Sequence, residues 1–295
     1  MANLKEIRTR INSVKSTRQI TSAMKLVAAS KLRKAQNAII ALRPYSYKIQ
    51  EIMEHLSDSL DEHDENPYLH SENEEIYNVL LIPMASNKGL CGPFNANIIK
   101  ETERQVQENF KSLYTNGNLH LLTIGKKATE YFKHRNYRLA GNHDEVYDDL
   151  TFENVSAISR ELMDSFKAKK YDKIFLIYNK FLNPATQRVM VEQFLPIEPS
   201  YEEKTQHLHV DYIFEPGKKE IVTELIPKTL KIHLYQALLD SNASEHGARM
   251  TAMHQATDNA SELIKDLQLT YNKARQESIT NEIIEVVSGA QALNG

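Results

Sequence analysis

The chain has 295 residues, with 36 Lys and Arg against 39 Asp and Glu, and 41% of its residues are hydrophobic. These proportions are those of an ordinary globular protein, and they argue against a disordered or membrane-embedded chain. No stretch reaches the roughly 18 apolar residues of a membrane-spanning helix, and the N-terminus lacks the apolar core of a signal peptide. The single cysteine, Cys91, excludes an internal disulfide and agrees with a reducing compartment. We therefore expect a protein that lies in the cytosol or faces it.

The first 45 residues predict a long basic helix. Residues 2–43 contain no glycine or proline, and their apolar residues recur at the 3-4 spacing of a coiled-coil seam. Ten Lys or Arg stand against one acid in residues 1–45, a net charge of +9 that usually faces an acidic partner. We expect Pro44 to interrupt the helix, and we expect the seam to slip twice, as stutters allow. The predicted seam consists of Leu4, Ile7, Ile11, Val14, Ile20, Met24, Val27, Leu32, Ala35, Ile39 and Leu42.

An acidic segment separates this helix from the middle of the chain. Residues 51–75 hold ten Asp or Glu and no Lys or Arg, a composition typical of a solvated face. The changes in composition predict four parts of the chain. These are an N-terminal helix with its extension (1–60), an acidic loop (61–75), a central domain (76–215) and a C-terminal helix (216–295).

The central part predicts a Rossmann-like α/β domain. Its strongly apolar runs at 76–84, 119–125 and 171–179 indicate buried strands. Amphipathic segments at 94–113, 126–136 and 152–169 predict helices between them, so the order is βαβα and the sheet should be parallel. Two later strands are expected at 188–196 and 210–214, with an antiparallel arrangement at an edge.

The C-terminal part predicts a second long helix. Residues 228–288 contain no proline and one glycine, Gly247. Two such helices at opposite ends of one chain most simply form an antiparallel coiled coil, so the fold class is α/β with a long helix pair. The predicted seam of the second helix consists of Met253, Ala256, Ala260, Leu263, Leu267, Tyr271 and Ala274.

The sequence carries no recognisable catalytic, nucleotide or metal site. The glycines of Ser86–Gly92 lack the dinucleotide-binding spacing, and residues 120–127 lack the first glycine and the Ser or Thr of a P-loop. His207 and His209 could share one face of a strand, but no Cys or carboxylate stands at metal-ligand spacing. We therefore expect no enzyme activity, no cofactor and no direct nucleotide binding by this chain.

Three blocks of the sequence resemble the gamma subunit of F-type ATP synthases. The first block reads ITSAMKLVAASKL (20–32), and the second reads SNKGLCG (86–92). The third reads SEHGARMTAMHQATDN (244–259) and continues as YNKARQESITNEIIEVVSG (271–289). They occur in the family's order and at the family's distances from the ends, and the resemblance extends over essentially the whole chain.

The resemblance implies a central shaft that transmits torque and catalyses nothing by itself. Its helix pair would lie inside a ring of alpha and beta subunits, and its central domain would contact the epsilon subunit and the ring of c subunits. By the same resemblance, residues that meet the beta subunits or brace the two helices would be Met24, Arg249, Arg275, Gln276 and Thr280. The apolar C-terminal tip, which would turn in an apolar bearing, includes Ile283, Ile284, Val286 and Val287.

The resemblance has two departures and leaves alternatives open. Family members often carry Asp where this chain has Asn87, and the inserted cysteine pair of chloroplast members is missing, which favours a bacterial origin. The expected location is then the cytoplasmic face of the inner membrane, as a peripheral subunit. A non-enzymatic coiled-coil adaptor or scaffold is the main alternative. Nucleic-acid binding through the basic helix is disfavoured, because it would leave that helix exposed without a buried seam.

Overall fold

The computed structural model describes residues 4–57, 68, 76–197 and 218–293. The chain forms two compact units. One consists of Met1–Ala29 with Arg249–Gly295, and the other of Ser30–Ala248. The first and last helices each contribute to both units, because they run without interruption through the points of division.

The elements alternate between helix and strand in the middle of the chain. The helices are α1 (Leu4–Ser57), α2 (Phe94–Glu108), α3 (Lys111–Asn116), α4 (Lys126–Lys133), α5 (Phe152–Lys167) and α6 (Lys218–Leu293), with a 3-10 turn at Asp144–Tyr147. The strands are β1 (Val79–Pro83), β2 (Leu119–Thr123), β3 (Arg138–Asn142), β4 (Lys173–Asn183) and β5 (Thr186–Leu195).

The five described strands form one mixed sheet in the order β3-β2-β1-β4-β5. The pairs β1–β2, β2–β3 and β1–β4 are parallel, and β5 is antiparallel to β4 at an edge. The α/β class, the parallel order and the antiparallel edge strand are thus confirmed. Strand β3 was not predicted, because the segment RLAGN is short, polar and only half covered. The predicted strand at 210–214 and the pair His207 and His209 lie outside the described residues, as does the acidic loop apart from Tyr68.

Both faces of the sheet are covered, which explains its apolar strands. Every residue of β1 is buried, and its side chains alternate between two cores. The first core joins the sheet to α5 and α6 through Leu80, Ile82, Leu162, Leu176, Leu230 and Leu234. The second joins it to α2 and α4 through Val79, Leu81, Ile98, Leu121 and Phe132. The domain therefore closes its own core as an αβα sandwich.

Helix α1 differs from the prediction at Pro44, because it continues through this residue to Ser57. Proline removes one backbone hydrogen bond and normally kinks or ends a helix. Here Pro44 is exposed, while Ala35 and Ile49 are buried on either side of it. Packing on both sides of the proline holds the helix together despite the lost bond. Helix α6 likewise continues through a proline, Pro227.

The seam of α1 is unbroken, so the two predicted slips are wrong. Residues 7, 14, 21, 28, 35, 42 and 49 recur every seven positions, and each is buried or half-buried. Ile20 and Val27, which were predicted in the seam, are 60% and 58% exposed. On α6, Ile264 occupies the buried position that was predicted for Leu263. Polar Thr21 and small Ala28 lie in the seam, where a prediction from large apolar residues does not place them.

Candidate partner interface on the helix pair

The unit formed by the start of α1 and the end of α6 is an antiparallel helix pair. The hydroxyl groups of Thr21 and Thr257 are 2.8 Å apart, and Lys25 Nζ lies 3.3 Å from His254 Nδ1. Moving forward along α1 from Thr21 to Lys25 therefore means moving backward along α6. The buried residues follow heptad spacing on both helices, as in a coiled coil. The predicted antiparallel arrangement is thus confirmed.

The register leaves the end of α6 without a facing stretch of described α1. Seventeen residues back from Thr21 is Leu4, and seventeen residues on from Thr257 is Ala274. Leu4 is the first described residue of α1, so the pairing of described residues ends there. Residues 279–291 are all exposed, although the segment is rich in Ile and Val. A long apolar surface is thus left uncovered by the described residues.

Three of the predicted contact residues lie on this uncovered end. Arg275, Gln276 and Thr280 are all exposed on α6. Gln276, Thr280, Ile283 and Val287 follow one another at intervals of four, three and four residues, so they form one stripe along the helix. Ile284 and Val286 flank that stripe and are 56% and 72% exposed. The predicted polar contacts and the predicted apolar tip therefore form one continuous surface.

Met24 and Arg249 occupy a separate place in the same unit. The register puts Met24 opposite His254, about 1.4 helical turns from Arg249. Met24 is half-buried, and Arg249 is only 8% exposed. Arg275 lies roughly 39 Å beyond Arg249 along α6, at about 1.5 Å per residue. The predicted site residues thus form two groups, one buried or half-buried and one open to solvent.

Pattern reading missed an exposed apolar stretch on α1. Ile20, Leu26 and Val27 are each more than half exposed, although they lie in the first family-like block. Placing Ile20 and Val27 in the seam hid their availability for a partner. The sevenfold repeat through Val14, Thr21 and Ala28 was the signal that could have corrected this, because it assigns the seam without gaps.

The place where α/β sheets usually bind nucleotides is filled by the chain itself. Such ligands bind beyond the carboxyl ends of the strands, where the strand order reverses, which here is between β1 and β4. At this point Ser244 of α6 donates a hydrogen bond from Oγ to the carbonyl of Asn179, with a distance of 2.9 Å between the two oxygens. Ala248 of α6 packs with Cys91 and Phe94 in a small apolar cluster beside it.

The family-like loop at Ser86–Gly92 uses its polar groups internally. Asn87 Oδ1 accepts from the backbone N–H of Lys126 at the start of α4, and Asn87 Nδ2 donates to the carbonyl of Asp144. Gly125 has φ +97°, and a Cβ there would lie 2.0 Å from the carbonyl oxygen of Ala85. These groups close the loop against α4, so its amides do not form an open phosphate cradle.

The family model described as ATP synthase matches residues 3–293 of the chain. The chain is 56% identical to the ATP synthase gamma chain of Christiangramia forsetii and 53% identical to that of Flavobacterium johnsoniae, and in both cases the whole of both chains is covered. The chain belongs to the ATP synthase gamma chain family. The predicted family is thereby confirmed over the full length.

A solved structure agrees with this membership. The fold resembles a chain in the cryo-EM structure of the central stalk and c-ring of the Tetrahymena thermophila mitochondrial ATP synthase, with a TM-score of 0.58 and 25% identity. The match covers 80% of this chain and 99% of that one. Among the residues that the structure describes, no helix combines the length and apolar character that crossing a membrane requires.

Proposed function

We propose that this chain is the central rotor shaft of a proton-driven ATP synthase, coupling rotation of a membrane c ring to ATP synthesis and hydrolysis in an alpha/beta ring. The observation that carries this proposal is the uncovered end of α6 in a chain that matches the gamma chain family from residue 3 to residue 293. The chain is a non-catalytic subunit, and the chemistry belongs to the beta subunits.

The length of α6 suits it to transmit torque. It runs through 76 residues without a break, which corresponds to about 110 Å at 1.5 Å per residue. Part of it packs on the sheet of the α/β domain, and another part forms the antiparallel pair with α1. A displacement applied to the domain is thus carried along one covalent helix rather than through a flexible linker.

The exposed end of α6 is proposed to turn inside the alpha/beta ring. Apolar side chains there allow rotation, because they lose water on insertion without forming directional bonds that would stop the shaft. Arg275, Gln276 and Thr280 would supply the polar contacts to the beta subunits. Met24 and Arg249 would act mainly as braces of the helix pair, since neither is fully exposed.

The remaining partners are assigned by the same proposal. The α/β domain would contact the epsilon subunit and the c ring, so the chain would lie at the cytoplasmic face of the inner membrane as a peripheral subunit. The basic exposed face of α1 would lie near acidic segments of the beta subunits. No nucleic-acid partner is proposed, because the seam of this helix is buried against α6.

Co-purification is the direct test of the assignment. A tagged chain isolated from its native membrane in mild detergent should bring alpha, beta, epsilon and c subunits with it. Isolation of the chain with another set of proteins would favour the adaptor alternative. That alternative is not favoured at present, because the gamma chain match leaves no part of the chain for a separate role.

Nucleotide binding offers a second test that does not depend on the complex. Titration calorimetry of the purified chain with ATP and ADP should show no binding in the micromolar range. The crevice between β1 and β4 is occupied by α6, and the loop at Ser86–Gly92 is closed by Asn87. Micromolar binding would contradict the assignment of nucleotide chemistry to other subunits.

A further inference from the structure

One short stretch of α6 is buried on nearly all sides. Between Ser241 and Ala248 every residue is buried except Asn242, which is half-buried. Long surface helices normally alternate between buried and exposed faces, so burial on all sides marks a place where a helix passes through its surroundings. This stretch, residues 241–248, is called the collar segment below.

Two buried hydroxyl groups attach the collar segment to the domain. Ser241 Oγ accepts a hydrogen bond from the hydroxyl of Tyr147 at 3.3 Å, and Ser244 Oγ donates to the carbonyl of Asn179 at 2.9 Å. Tyr147 lies in the 3-10 turn, and Asn179 lies in β4. Two separate segments of the domain therefore hold α6 within one turn of the helix.

The helix backbone approaches the domain closely at Gly247. A Cβ at this residue would lie 3.2 Å from Cα and 3.3 Å from the carbonyl oxygen of Pro184, and 3.4 Å from Cε2 of Phe181. Pro184 lies in the turn that joins β4 to β5, and Phe181 lies near the end of β4. Glycine here gives up about 1 kcal/mol of helix propensity relative to alanine. The missing side chain allows the β4–β5 hairpin to lie directly against the helix backbone.

We propose that the collar segment is the joint through which the α/β domain turns the shaft, with Gly247 as the positioning residue that lets the β4–β5 hairpin grip α6. The inference rests on the proposed rotor function. The 3-10 turn, β4, the hairpin and the start of α2 all contact this segment, the last through Phe94 and Ala248. Contacts from several segments resist twisting of a helix about its axis, which one contact would not.

The test is Gly247→Val in the assembled complex. Overpacking this contact should shift the equilibrium between seated and released hairpin by about fivefold or more toward release. Hydrogen exchange of the backbone amides of Ala185 and Thr186 should become faster by the same factor in the full chain. In membrane vesicles, ATP-driven proton pumping should fall relative to ATP hydrolysis, while the hydrolysis rate itself stays near the wild-type value. Gly247→Ala should give exchange rates and a pumping ratio between those of the wild type and of Gly247→Val.

The matched control is Glu224→Val, which introduces the same β-branched residue into the same helix at an exposed position. It should change neither hairpin exchange nor the pumping ratio. Ser244→Ala provides an independent variant, because it removes the bond to Asn179 without adding bulk, and it should lower the pumping ratio less than Gly247→Val does.

The outcomes separate the joint from a merely structural role. Faster hairpin exchange with an unchanged pumping ratio would overturn the proposal, since the grip would be lost without loss of torque. Unchanged exchange in Gly247→Val would overturn it as well, because the hairpin would not depend on the glycine. If vesicles from cells that lack this chain pumped normally, the rotor function itself would fail, whatever the exchange data showed.

Discussion

The α/β domain buries its apolar residues within the chain, whereas the end of α6 leaves its apolar residues exposed. Every residue of β1 is buried by the helices on the two faces of the sheet, whereas every residue from 279 to 291 is exposed. Both segments are rich in Ile, Leu or Val, so composition does not distinguish them. The domain completes its own core, whereas the residues that the structure describes leave the apolar end of α6 uncovered, a pattern typical of surfaces that bind a partner.

Glycine substitutions should give the largest difference between the two regions in the free energy of unfolding. Gly125→Ala places a Cβ against the carbonyl of Ala85 at a residue with positive φ, and it should destabilise the chain by at least about 3 kcal/mol. Gly289→Ala meets no atom within 4 Å and should stabilise α6 slightly, because alanine is the better helix former. Urea unfolding of the free chain followed by circular dichroism measures both. Equal changes in stability at Gly125 and Gly289 would contradict the difference in packing between the domain and the end of α6.

Charges at the tip should matter only in the complex. Val286→Asp with Val287→Asp should weaken assembly by at least about a hundredfold, because an unpaired charge in apolar surroundings costs several kcal/mol. Deletion of residues 289–295 should leave assembly and ATP hydrolysis largely intact, since Arg275, Gln276 and Thr280 remain. The urea midpoint of the free double variant should match the wild type, because both valines are exposed there. A double variant that assembles normally would show that the tip stays in solvent.

Asp240 should make the α/β domain respond to pH. Burial raises the pKa of this carboxyl from 3.8 to about 6, with Glu192 acting in the same direction and Lys180 and Arg43 opposing it. The folded state therefore binds the proton more tightly than the unfolded chain, so this group destabilises the fold above pH 6 and ceases to do so below about pH 4.

Asp240→Asn removes the ionisation and should stabilise the free chain by about 2 kcal/mol at pH 7, below the limit of about 3 kcal/mol that the two pKa values set. The gain should shrink as the pH falls from 6 to 4. Urea unfolding at several pH values is the measurement. A gain that does not change with pH would mean that packing, not charge, limits this position.

Charge reversal on the exposed face of α1 should have the smallest effect. Lys31 and Lys34 are exposed, and each exposed ion pair is worth about 0–1 kcal/mol. Lys31→Glu with Lys34→Glu should leave the complex assembled and lower proton pumping relative to hydrolysis, less so at high salt. Lys111→Glu, the same change in the α/β domain, should have less effect. Equal losses in the two variants would argue against a specific role for the basic face.

The strands predicted most directly from the sequence are those that are buried on both faces. Strands buried on both faces read as continuous apolar runs, so β1, β2 and β4 were located from composition alone. Strand β3 was missed because only one side of it is covered, and RLAGN carries no such run. Pro44 was misjudged because local propensity disfavours a helix there, while packing on both sides of it maintains one.

The candidate interface was predicted less completely. The apolar tip was predicted as a partner surface because its apolar residues do not continue the seam, and that role stays a prediction. Ile20 and Val27 were assigned to the wrong face, since an apolar side chain looks the same in a seam and in a partner surface. The repeat through Thr21 and Ala28 carried the answer, but polar and small residues are weak markers of burial. The grip at Gly247 depends on a contact with Pro184, which is distant in sequence, and no local pattern could reveal it.

The exposed tip of α6 has a consequence for how the cell must make this protein. Ile279, Ile283 and Val287 are each more than 40% exposed and lie along one side of the helix. Before a freshly synthesised chain meets its ring, this surface attracts any other apolar surface, including a second copy of itself. We therefore expect excess chains to self-associate, so that supply of this subunit has to be matched to that of the partners proposed to cover the tip.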